Sequence, residues 1–244
     1  MLDMREFSVR LASPLETARG TIDAREGFLV RVETDGLSGV GEATPLVGWT
    51  ESYEECREGL SRAESVAREL DWGIALGKLE APAARHGLSL ALAAGRATAR
   101  DQPLYRSLAG DDRTVEAVPV NATLGADEPT ALAKRARAAV EEGYSAIKVK
   151  VGTNGVEEDI ERIRAVRNAV GDSIELRVDA NGAWTHEQAS TAIEGLAALD
   201  VAYVEQPLPT AELSSHASLR GNGVDIALDE SLVTHDIAGI IDAD

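Results

Sequence analysis

Short apolar runs alternate with amphipathic stretches from about Val118 to the end of the chain. The runs are "VPVNATL", "AIKVKVG", "IELRVDANG", "VAYVEQPL" and "DIALDES". Between them lie "EPTALAKRARAAVEEG", "GVEEDIERIRAVRNAVG", "THEQASTAIEGLAALD" and "TAELSSHASLRGNG". This rhythm predicts a parallel sheet with helical crossovers, either a doubly wound sheet or a (β/α) barrel. The earlier part of the chain reads instead as an antiparallel sheet followed by helices. "REGFLVRVETDGLSGVGEATP" gives a strand, a turn at Asp35 and Gly36, and a second short strand: a hairpin signal with longer-loop chemistry. "TESYEECREGLSRAESVAREL" predicts a helix that Thr50 or Ser52 can cap, with glutamates in its first turn. "PAARHGLSLALAAGRATAR" carries alanine and leucine on nearly all sides, which predicts a buried helix. The polar stretch "AGDDRTVEA" marks the boundary between an N-terminal α+β domain, residues 1–112, and a (β/α) domain, residues 113–244.

Composition narrows the function classes. With 44% hydrophobic residues, 244 positions are enough for a sizeable core. No apolar run reaches the roughly 18 residues of a membrane span, and "MLDMREFSVRLASP" is broken by charge too early for a secretory signal, so a cytoplasmic protein is expected. A net charge of -18 repels nucleic acid and anionic membrane, and neither is expected as a partner. Most basic residues are arginine; the lysines are Lys78, Lys134, Lys148 and Lys150. An acidic coat with little lysine also looks like halophilic adaptation to a high-salt cytoplasm. Cys56 is the single cysteine, so no intrachain disulfide can form, and it reads as a core or helix-face residue. His86, His186, His216 and His235 are scattered without an i, i+4 pair, which predicts surface or capping roles.

The candidate chemistry lies at strand ends. Asp179 ends "LRVD", Glu205 ends "AYVE" and Asp229 ends "IALD", one per successive strand-helix unit. In a barrel these positions face the mouth, where active sites are built. Three converging carboxylates repel unless a cation sits among them, and hard oxygen ligands suit Mg²⁺. The bland alternative is that such acids cap helices or stay solvated. Lys148 and Lys150 point to one face of their strand, with Ile147, Val149 and Val151 on the other. Their attachment points lie about 7 Å apart. At that distance the two charges repel by roughly 2.4 kcal/mol, which would bring one lysine about 1.7 pKa units down toward the range of a general base. The alternative is a pair that snorkels from an edge strand or is salt-bridged to its neighbours. Combined with the acids, the pair suits removal of a proton alpha to a carboxylate.

Taken in chain order, "GVGEATPLVGW", "HGLSLALA", "VPVNATL", "AIKVKVG", "LRVDANGAWT", "YVEQPL" and "IALDES" resemble the enolase superfamily, and within it the muconate-lactonizing subgroup, over almost the whole chain. The resemblance implies an N-terminal α+β capping domain and a (β/α) TIM-type barrel, of which about five strands are present. It implies metal ligands at Asp179, Glu205 and Asp229, catalytic lysines at Lys148 and Lys150, and Mg²⁺ as cofactor, with Mn²⁺ able to replace it. Within the subgroup the pattern is most similar to the o-succinylbenzoate synthase family of menaquinone biosynthesis, whose capping loop "GEATPLVGWTES" resembles. That implies a small-molecule carboxylate substrate and a syn dehydration to 2-succinylbenzoate, with Lys150 removing the proton and Lys148 lowering its pKa. Loops around Thr17–Gly20 and Pro45–Thr50 would form a lid, with Trp49 a substrate contact. Asn181 and Glu230 would orient ligands or lysines.

One departure bears on mechanism. The family carries another lysine on the strand after "DES", and the sequence stops at "IIDAD", so a truncated barrel with weak or no turnover is expected. A half barrel is expected to leave strand edges and apolar inner faces open to water, unless another copy supplies the missing half. Alternatives are an N-acylamino acid racemase, a dipeptide epimerase or a cycloisomerase of the same superfamily, or an inactive barrel stable only as an oligomer. A doubly wound binding protein is disfavoured, because no glycine-rich loop follows the early strands.

Overall fold

The computed structural model describes residues 1–17, 20–34, 36–109 and 114–242. It divides into two units, Met1–Glu116 and Ala117–Asp244. The boundary expected at residue 112 lies outside the described residues.

The first unit carries an antiparallel sheet in the order β1 (Leu2–Thr17), β2 (Gly20–Thr34), β3 (Leu37–Ala43). Its helices are α1 (Tyr53–Glu69), α2 (Trp72–Gly77), α3 (Pro82–Ala99) and α4 (Leu104–Ala109). Alternation in β2 buries Phe28, Val30 and Val32 on one face. The hairpin is tighter than expected: Thr34 pairs with Leu37, so two positions separate the strands, and Gly36 takes a φ of 73° that a glycine adopts without strain. Strand β1 was not foreseen as a strand. Ser52, rather than Thr50, caps α1, and its side chain and that of Glu55 close a reciprocal capping box. Cys56 is fully buried, as expected of a core residue.

Helix α3 meets β3 backbone to backbone. A Cβ at Gly41 would lie 2.0 Å from the Gly87 carbonyl oxygen, and one at Gly39 would lie 2.1 Å from that of Ala91. The small residues of the "AARHGLSLALAAG" stretch therefore serve a close approach, which explains a helix buried along Ala84, Gly87, Ala91 and Gly95.

The second unit is the expected strand-helix alternation. Strands β4 (Ala122–Leu124), β5 (Ala146–Lys150), β6 (Glu175–Asp179), β7 (Val201–Glu205) and β8 (Asp225–Ala227) form one parallel sheet in sequence order. Helices α5 (Pro129–Glu141), α6 (Val156–Val170) and α7 (His186–Ala197) are the first three crossovers; a short 3-10 turn, Thr210–Glu212, and α8 (Leu213–Ser218) make the fourth. Helices α9 (Glu230–Thr234) and α10 (Ile237–Asp242) follow β8. Ile147, Val149, Leu176, Val178 and Val204 project from one face of the sheet into a core shared with Leu132, Ile163, Val166 and Ile193 of the helices. This is a mixed α/β chain with a partial barrel. Of "VPVNATL" only Ala122–Leu124 is a strand, and Val118 and Val120 are exposed.

The opposite face corrects an expectation. The register sets Thr123, Lys148, Arg177, Tyr203 and Asp225 abreast, and above them Lys150, Asp179, Glu205 and Ala227. The inner face is thus polar rather than apolar. The Arg177 guanidinium lies 5.3 Å from the Tyr203 ring centre and donates to Glu175, which satisfies a charge that water would otherwise solvate.

Candidate active site

The lysines and acids at issue lie on, or just beyond, the C-terminal halves of parallel strands. Ile147, Val149 and Val151 are buried under the helices, so period two turns Lys148 and Lys150 to the other face, as the sequence predicts. The Lys150 ammonium lies 2.6 Å from Asp179 Oδ2 and 2.8 Å from Asn181 Oδ1. Lys148 lies 2.9 Å from Glu205 Oε2 and 3.3 Å from the same Asp179 oxygen. The salt-bridged alternative is thus what the pair does here. Burial alone would lower the Lys148 pKa, but hydrogen bonding to Glu205 and the charges of Asp179 and Glu205 outweigh it and hold the ammonium above the ordinary lysine value. Mutual repulsion of the two lysines does not decide Lys148, because it contacts two carboxylates, of which Asp179 also bridges to Lys150.

Asp229 stands two positions beyond the end of β8 and is exposed as a residue. Partial burial pushes its carboxyl up, and the charges of Glu230 and Asp179 add to that against Lys148 and Lys150. Its carboxylate makes no hydrogen bond or ion pair among the described residues. Glu230 accepts from the Asn181 side-chain amide at 3.0 Å through one oxygen, while the other is buried without a hydrogen-bond partner among the described residues. Among the described residues no three carboxylates close around one point; the Lys148 ammonium sits between Asp179 and Glu205 instead. Even so, four carboxylates against two ammonium groups leave an excess of two negative charges on hard oxygen, with one acceptor orphaned. That donor set fits an oxygen-seeking divalent cation.

Trp49 lies in the first unit, half-buried, on a turn where its N–H and that of Thr50 donate to Leu46 O at 2.9 and 2.8 Å. Residues 18 and 19 of the other expected lid loop lie outside the described residues.

Sequence reasoning missed three supporting groups. Arg162, fully buried, donates to Asp159 Oδ1 (2.6 Å), Asp127 O (3.0 Å), Gly125 O (3.1 Å) and Lys150 O (3.1 Å). Asp159 in turn accepts the Gly152 N–H at 2.8 Å, so the pair clamps the end of β5. Gln206 is fully buried and follows Glu205 with a φ of 41°. His216, expected on the surface or at a cap, is buried: Leu208 N–H donates into Nε2 at 3.3 Å, which leaves the proton on Nδ1, 3.0 Å from Glu212 O. A signal existed for the first pair, since Asp159 and Arg162 occupy the same α6 face as Val156, Ile163 and Val166.

Burial holds the His216 pKa below the ordinary value, against the pull of the Glu212 and Leu208 backbone bonds. The unfolded chain therefore takes up the proton first as pH falls through about 6.5, and stability present above that pH is lost below it. The urea midpoint should drop more between pH 7.5 and 5.5 in the native protein than in His216→Gln. Equal drops would remove His216 from the account.

Comparison with known proteins gives this geometry a family. Residues 131–240 match the model of the enolase C-terminal domain-like family, and residues 3–95 that of the MenC N-terminal domain. The chain is 36% identical to a hydrophobic dipeptide epimerase of Enterococcus faecalis, over 86% of its own length and 61% of that enzyme's. It is 31% identical to the o-succinylbenzoate synthase of Thermosynechococcus vestitus, over 94% of its length and 68% of that enzyme's. The crystal structure of the E. faecalis epimerase with Mg and L-Leu-L-Tyr superposes with a TM-score of 0.81 at 32% identity, covering 94% of this chain and 67% of that one. The chain thus spans about two thirds of the length of these relatives. It belongs to the enolase superfamily.

Proposed function

We propose that this protein is a Mg²⁺-dependent enzyme that removes the proton alpha to a substrate carboxylate. In this reading Asp179, Glu205 and Asp229 hold the cation, Lys150 is the base and Lys148 its cationic neighbour. The observation that carries it is the register: Lys150, Asp179 and Glu205 stand abreast on three neighbouring strands, with Lys148 one layer below. Mg²⁺, when bound, supplies Lewis-acid stabilisation for negative charge developing on the substrate carboxylate. Lys150, in its neutral form, takes the alpha proton at Nζ. Asn181 accepts from that nitrogen and donates to Glu230, and so aims the base. A role for Trp49 as a substrate contact rests on the family resemblance alone.

Among such reactions we favour dehydration of 2-succinyl-6-hydroxy-2,4-cyclohexadiene-1-carboxylate to 2-succinylbenzoate. The C–H bond breaks to Lys150, the C–O bond breaks with it, and the Lys150 ammonium returns the proton to the departing hydroxide as water. The match of residues 3–95 to the MenC N-terminal domain supports this choice. A second reading, dipeptide epimerisation, draws on the 36% identity to the E. faecalis enzyme. Each substrate is incubated with protein and Mg²⁺ in deuterium oxide. A rising ultraviolet absorbance from the aromatic product supports dehydration. Deuterium at the alpha carbon of recovered L-Leu-L-Tyr, without dehydration, supports the second reading. Neither signal, with the cation bound, removes proton abstraction altogether.

A further inference from the structure

The backbone of Gln206 is held in the left-handed region, φ 41°, where a residue with a side chain is strained and persists only when its surroundings over-determine it. Here they do. Its N–H donates to Ala227 O at 2.8 Å, and its carbonyl accepts from Gly182 N–H at 2.7 Å, so one residue joins the chain beyond β6, β7 and β8. The side chain is committed just as fully. Oε1 accepts the N–H groups of Asp229 and Ser231, both at 3.1 Å. Nε2 donates to Ser231 Oγ at 2.8 Å and to Leu208 O at 2.9 Å. An amide has two acceptor sites and two donor protons, and all four are used. Asp229, by contrast, has a carboxylate without a hydrogen-bond partner among the described residues and an exposed position. What fixes it is its backbone, and its N–H ends on Gln206.

We infer that Gln206 is a positioning residue that sets Asp229 against Glu205 for a shared divalent cation. The inference rests on the ligand set proposed above. Strain at φ 41° fits this role, because the side chain of the residue directly after Glu205 is bonded to the turn that bears Asp229. Glycine at this position would relax the backbone and remove only the side-chain bonds, which makes Gln206→Gly a sharper variant than alanine.

The test is Mn²⁺ affinity of the whole chain, read from free Mn²⁺ by electron paramagnetic resonance, for the native protein, Gln206→Gly, Asp229→Asn and the double variant. Gln206→Gly should weaken binding by about 10–100-fold, the scale of losing a group that orients a ligand. In the Asp229→Asn background it should add almost nothing, because Gln206 acts through Asp229. A general loosening of the fold would cost the same factor in both backgrounds. Unchanged affinity in Gln206→Gly, or an equal loss with and without Asp229, overturns the inference. Native protein that fails to bind Mn²⁺, or an Asp229→Asn variant that binds it as tightly, overturns the ligand set itself and is recognised separately. Should Gln206→Gly not fold, Ser231→Ala, which deletes one acceptor of Gln206, carries the same criteria with a smaller loss.

Discussion

Replacing Lys150 by methionine is expected to slow exchange of the substrate alpha proton by about 10²–10⁴-fold, the usual contribution of a positioned general base. Methionine keeps an unbranched stem and removes only the ammonium. The Lys150 side chain is 37% exposed, so its loss opens no core cavity and the unfolding transition should stay in place. Mn²⁺ affinity separates this chemistry from a ligand defect. The Lys150 ammonium shares Asp179 Oδ2 with Lys148, at 2.6 and 3.3 Å, so removing it takes away the nearer of two cations competing for that oxygen. Lys150→Met should therefore bind Mn²⁺ at least as tightly as the native protein. Exchange that continued at the native rate would exclude Lys150 as the base.

Arg162→Met should have the largest effect on stability, about 3–5 kcal/mol, because it strands a buried carboxylate without its counter-charge. Asp159 is 2% exposed and would keep only the Gly152 N–H as a partner, while the carbonyls of Gly125, Asp127 and Lys150 would each lose a donor. Adding Asp159→Asn removes the stranded charge, so the double variant should recover part of the loss. Urea unfolding measures both. A loss below about 1 kcal/mol in the single variant would mean that water replaces the guanidinium, contrary to its full burial. The same contact to Lys150 O gives Arg162 a bearing on chemistry, since it holds the backbone from which the proposed base projects.

Much of this arrangement was legible in the chain, for identifiable reasons. Period two in "AIKVKVG" put both lysines on one face, because three apolar neighbours claim the other. The repeated acid at strand ends followed from the length of the strand-helix units. Strand β1 escaped because its alternation slips at Glu6 and Phe7, and in its first half only Leu2 is buried. The Gln206, His216 and Arg162 networks escaped for a different reason. Their partners are largely backbone groups on other elements, such as Asp127 O for Arg162 and Asp229 N for Gln206, and backbone acceptors carry no residue letter. Repulsion between the two like charges leaves out the acids on neighbouring strands that the same register delivers, and those acids hold the Lys148 ammonium above the ordinary lysine value.

The seam between β3 and α3 sets limits of another kind. Where a sheet and a helix are separated by side chains, a substitution on one can be answered by a smaller neighbour on the other. At Gly39 and Gly41 the opposing atoms are main-chain atoms, which no second substitution can shorten. Tolerance to sequence drift in this unit should accordingly be lowest at residues with no side chain, and highest on the outward positions of the same strand, such as Val40 and Glu42.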